Sequence, residues 1–105
     1  CEDGCARNLT DGIIRARYRH SMSDPSLITP HEPTTYNIDL WATSNCFKRG
    51  HSIRLEISSS NFPRFDRNSN TGNTISEDSE LLPALQQVLH TSVFPSYVTL
   101  PILPR

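Results

Sequence analysis

Ser52-Ile53-Arg54-Leu55-Glu56-Ile57-Ser58-Ser59-Ser60-Asn61-Phe62-Pro63-Arg64-Phe65-Asp66-Arg67-Asn68-Ser69-Asn70-Thr71-Gly72 is the stretch on which the reading of this chain turns. Ile53, Leu55 and Ile57 alternate with Arg54, Glu56 and Ser58, the period of two that marks a half-buried strand over Ser52–Ser58. The alternation ends in a serine run and gives way to a polar loop that carries two phenylalanines. Exposing two such rings is unfavourable, so the sequence predicts that Phe62 and Phe65 are buried and that Arg64, Asp66 and Arg67 fix the loop by charge-assisted hydrogen bonds. A packed structural loop is the simpler reading. A contact loop is the other, since loops carry function more often than the elements they join.

Outward from this stretch, three more segments alternate. Ile14, Ala16 and Tyr18 face away from Arg15, Arg17 and Arg19, predicting a strand from Ile13 to Arg19. Its arginine side is read either as an anion site or as a solvated, salt-bridged face. Tyr36, Ile38 and Leu40 alternate with Asn37, Asp39 and Trp41, predicting a strand over Thr34–Thr43 that pairs with Ser52–Ser58 as a hairpin. Trp41 falls on the polar side of that strand, where it either stacks on a neighbouring domain or ligand or packs at the edge of the core. Between the two lies a turn, Ser44–His51, with Gly50 placed for a positive φ. Val98, Leu100 and Ile102 predict a last strand, Ser96–Leu103, bounded by Pro95 and Pro104. Leu81, Leu82, Leu85, Val88 and Leu89 have the spacing of a short amphipathic helix.

Three blocks then carry a resemblance. Arg54–Gly72 resembles part of the C-terminal, non-catalytic domain of the X-prolyl dipeptidyl aminopeptidase-like, or cocaine esterase-like, serine hydrolases. Leu9-Thr10-Asp11-Gly12-Ile13-Ile14-Arg15-Ala16-Arg17-Tyr18-Arg19 and Tyr36-Asn37-Ile38-Asp39-Leu40-Trp41-Ala42-Thr43-Ser44-Asn45 resemble the same domain in the same order. The resemblance implies an all-β chain, part of a jelly-roll (galactose-binding-like) antiparallel β-sandwich appended to an α/β-hydrolase. It places a strand, not a helix, at Gln86–His90. It also implies that residues 1–105 are one domain forming the C-terminal portion of that sandwich, because the family domain begins well before the match to Leu9.

Bulk properties bound what the chain does. At 105 residues it is one domain long, and a folded chain of that size buries roughly 65% of its unfolded surface. A net charge of −1 with interspersed signs argues against nucleic acid or an anionic membrane as partner. No apolar run approaches the ~20 residues that cross a bilayer, and no signal peptide is expected ahead of Cys1. Cys1, Cys5 and Cys46 leave at least one thiol unpaired within the chain. Cys1 and Cys5 could close a tight turn, but the sequence reading expects reduced, partly buried cysteines in a cytoplasmic protein. His20, His31, His51 and His90 are scattered singly, so neither metal nor cofactor is expected.

Catalysis by the family's chemistry requires a Gly-x-Ser-x-Gly nucleophile elbow with Asp and His later in the chain. The sequence contains no such elbow, so the expected role is non-catalytic. The resemblance implies a domain of an X-Pro dipeptidyl-peptidase or esterase-like serine hydrolase that supports the α/β-hydrolase domain of the same parent protein and its substrate cleft. The alternative is an autonomous carbohydrate- or ligand-binding β-sandwich module. The interdomain or loop contact candidates are Trp41, Phe62, Arg64, Phe65, Asp66 and Arg67. Self-association is a further expectation, because half a sandwich leaves the face formed by Tyr36, Ile38, Leu40, Ile53, Leu55 and Ile57 without cover.

Overall fold

The architecture of residues 4–104 is described by a computed structural model. It overturns the all-β expectation: among the described residues there is no strand, and the one regular element is a 3₁₀ turn, Ala16–Tyr18. The predicted segments Thr34–Thr43, Ser52–Ser58, Gln86–His90 and Ser96–Leu103 carry no ladder, so neither a jelly roll nor a β-sandwich is formed. The alternative helix over Leu82–His90 is absent as well. Alternation of apolar and polar side chains is a property of one segment. A strand also requires a second backbone at about 4.8 Å to take its N–H and C=O groups, and these segments do not supply one another with it.

Ile13–Arg19 shows what replaces the ladder. Arg15 is extended (φ −86°, ψ 135°), and the chain then tightens, with the Tyr18 N–H donating to Arg15 O at 2.9 Å and the Arg19 N–H to Ala16 O at 3.3 Å. The Arg19 guanidinium donates to Ala16 O at 2.9 Å, Ser26 O at 2.6 Å and Leu27 O at 3.3 Å. The Ser26 N–H returns a bond to Arg17 O at 2.8 Å. The remaining arginines reach the other way, Arg15 to Asn68 Oδ1 at 3.4 Å and Arg17 to Asn73 O at 2.9 Å. Most of these bonds are exposed, and their acceptors are backbone and amide oxygens of the chain itself. They tie two loops to the most enclosed segment of the molecule, for residues 10–19 are half-buried at every position except Ile13.

The loop after Asn68 is closed by its own polar groups. The Leu82 N–H donates to Ser69 O at 3.0 Å and Asn70 Nδ2 to Leu82 O at 2.8 Å. The Thr71 hydroxyl donates to the Asp78 carboxylate, which also accepts the Glu80 N–H at 3.1 Å. Thr71 first, then Ser69, hold the Asp78 carboxyl below its ordinary value of 3.8, against an opposing effect of desolvation. At Lys48–His51 the expected turn is present, closed by the His51 N–H to Lys48 O at 3.1 Å with Gly50 at φ 85°.

No described residue is fully buried. Ile53, Leu55 and Ile57 are 58, 53 and 57% exposed, and Tyr36 and Ile38 are exposed beside a half-buried Leu40. The accessible surface is 9935 Å², against about 6,000 Å² for a self-contained monomer of this length. The radius of gyration is 16.8 Å, against about 13 Å. Both values lie between those of a closed domain and an unfolded chain. Cys5 and Cys46 are exposed, not partly buried, and Cys1 lies outside the described residues.

Candidate functional site

The three sequence blocks meet at one place. Thr10 Oγ1 donates to Leu40 O, and Thr43 Oγ1 donates to Leu9 O at 3.3 Å, so the first and second blocks lie side by side. Gly12 permits that approach, because a Cβ there would run into the Asp39 carbonyl and stand 2.8 Å from Ile38 Cγ2. The third block is joined by an ion pair from Arg64 Nη1 to Asp11 Oδ2. The result is an open cleft of about 370 Å³, lined by Thr10–Ile13, by Trp41, and by Arg64 and Phe65.

Trp41 is held out from the chain. Its N–H donates to Asp39 Oδ1 at 2.7 Å, an Asx turn that draws the backbone to φ 61°. The side chain is left 81% exposed. A bulky residue in the left-handed region is uncommon, and this one lines the cleft and is not packed at the edge of a core.

The loop from Asn61 to Arg67 is closed by the Phe65 N–H to Asn61 O at 3.0 Å and contains a cis Phe62–Pro63 peptide. The Arg64 guanidinium lies 5.3 Å from the Phe65 ring centroid and that of Arg67 4.7 Å from the Phe62 centroid. The expected burial of both rings is corrected: Phe65 is half-buried, but Phe62 is 58% exposed. Arg64 anchors the loop through Asp11. Asp66, expected to help, is exposed and makes no ion pair or side-chain hydrogen bond among the described residues. Of the six contact candidates, Trp41, Arg64 and Phe65 share the cleft, and Phe62, Asp66 and Arg67 stand on the loop beside it.

Sequence reasoning missed Asp11, which reads as half of an Asp-Gly turn, and with it Thr10 and Gly12. No local signal pointed there, since Asp66, the carboxylate nearest in sequence, pairs with neither Arg64 nor Arg67. The cleft sets the side chains of Trp41 and Phe65 beside the Arg64–Asp11 ion pair. Elsewhere, no group of three or more His, Cys, Asp or Glu side chains among the described residues is placed to hold a metal ion. No helix among them is long and apolar enough to cross a membrane.

Over 105 residues, 98% of the chain, the sequence is 45% identical to cocaine esterase of Rhodococcus sp. (strain MB1 Bresler). The match spans only 18% of that relative's length. No solved structure matches the chain. Residues 2–99 match the X-Pro dipeptidyl-peptidase C-terminal non-catalytic domain, and the chain whose three blocks converge on the Asp11–Trp41–Arg64 cleft belongs to that family.

Proposed function

We propose that this chain is the non-catalytic domain of an X-Pro dipeptidyl-peptidase or esterase-like serine hydrolase, supporting the α/β-hydrolase domain of the same parent polypeptide and helping to wall its substrate cleft. The observation that carries the reading is the exposed apolar surface. Tyr36, Ile38, Ile53, Leu55 and Ile57 stand open, and burying each is worth about 1.5–3 kcal/mol. The chain corresponds to 18% of its relative's length, so the rest of such a polypeptide is the cover at hand. An autonomous ligand-binding module would need a core of its own, and no described residue is buried. A cytoplasmic setting belongs to the same proposal and is carried by cysteine usage alone.

The test compares the parent polypeptide with residues 1–105 alone, using a chromogenic acyl ester and an X-Pro anilide. The parent is expected to turn over one of them through a serine outside this chain, and the isolated chain neither. Deleting the chain from the parent is expected to lower kcat/KM or thermal tolerance. Turnover abolished by changing a serine within residues 1–105, or a deletion without effect on either property, refutes the proposal.

A further inference from the structure

Two guanidinium–ring contacts lie within the six positions from Phe62 to Arg67, Arg64 at 5.3 Å from the Phe65 centroid and Arg67 at 4.7 Å from the Phe62 centroid. The two guanidinium groups are not equivalent. Arg64 is neutralised by Asp11. Arg67 makes no ion pair and donates no hydrogen bond among the described residues, and Asp66 next to it forms no ion pair with it. The Arg67 guanidinium carbon lies 4.7 Å from the Phe62 ring centroid and its N–H groups make no bond among the described residues, and a guanidinium takes a carboxylate by two parallel bonds. The platform beneath it is itself exposed, Phe62 at 58%.

We infer that the Phe62–Arg67 loop is a docking surface for a carboxylate-bearing segment of the rest of the parent polypeptide, with the Arg67 guanidinium pairing the carboxylate and the Phe62 ring packing against the apolar stem beside it. Charge complementarity selects this occupant: the Arg67 cation has no ion pair among the described residues, and the chain's net charge of −1 disfavours a polyanion such as nucleic acid. The inference rests on the proposal above that the chain works within a longer polypeptide, since it corresponds to 18% of its relative.

Zero-length carbodiimide coupling in the full-length parent tests it. An arginine does not react, so the probe is R67K, which places an amine where the guanidinium stands. R54K serves as the internal control, because Arg54 pairs with Glu56 at 3.5 Å and coupling there stays within the chain. The R67K parent is expected to yield a cross-link from position 67 to an Asp or Glu outside residues 1–105, within one molecule as judged by mixing isotopically light and heavy protein. Adding F62A removes the platform and is expected to lower that yield about two- to fivefold. Coupling from position 67 only to carboxylates within residues 1–105, coupling only between two copies, or no coupling while R54K couples to Glu56, overturns the inference. Hydrolysis is read separately. An inactive parent that cross-links at position 67 defeats the functional reading alone, and an active parent that does not cross-link defeats the docking inference alone.

Discussion

Residues 1–105 by themselves should be a soft, incompletely closed molecule, and the size of the effect follows from their surface. A 105-residue chain exposes about 17,000 Å² when extended and about 6,000 Å² when folded into a self-contained domain, a loss of roughly 11,000 Å². The chain retains 9935 Å², so it has removed only about 7,000 Å² from water on the same scale. Denaturant slopes are proportional to the area exposed on unfolding, and the urea m-value of residues 1–105 should therefore be about two-thirds of that usual for this length. The apolar groups left open, among them Ile53, Leu55 and Ile57, should bind the dye ANS. Small-angle scattering at low concentration should return a Cα-equivalent radius of gyration near 16.8 Å, not the roughly 13 Å of a closed domain. A full-sized m-value, no dye binding and a radius near that smaller figure would refute the reasoning. They would show that the chain closes a core by itself.

Further outcomes concern the junction of the three blocks, read by hydrogen exchange. Arg64→Ala and Asp11→Ala should be coupled by about 0.2–1 kcal/mol, since the Arg64 and Asp11 side chains are 58 and 34% exposed and solvent screens them; the Phe65 amide, bonded to Asn61 O, reports the opening, and strictly additive effects would dissolve the pair. Gly12→Ala should push the first block off Ile38 and Asp39 at a cost of about 1–3 kcal/mol, and unchanged exchange across residues 38–40 would contradict the close approach. The Asp78 carboxyl is held below 3.8 in the folded chain, so its bonds to Thr71 and Ser69 stabilise the 69–82 loop fully above that pH and are lost as pH falls through the lowered value. A carboxyl titration at or above 3.8 by carbon-13 NMR, or an Asp78→Asn variant with the same acid response as the unaltered chain, would remove that account.

Family membership was legible from residues alone, because the blocks at Leu9–Arg19, Tyr36–Asn45 and Arg54–Gly72 keep their order and spacing in the chain itself, and the family match spans residues 2–99. Gly50 was legible too: a four-residue turn with glycine third is a local object, and its φ of 85° follows from the missing Cβ. Arg64 and Trp41 could be singled out as residues with something to bind, but not what they meet. Alternation in Ser52–Ser58 and Thr34–Thr43 specified which side chains share a side and nothing about a partner backbone, so the strands inferred from it did not form. The pairing of Arg64 with Asp11 spans 53 positions, and the close approach of Gly12 to Ile38 and Asp39 joins two separate blocks. Those contacts were decided only by tertiary structure, because charge pairing and close approach depend on distances between segments, and a linear sequence sets the chemistry of each segment without setting those distances.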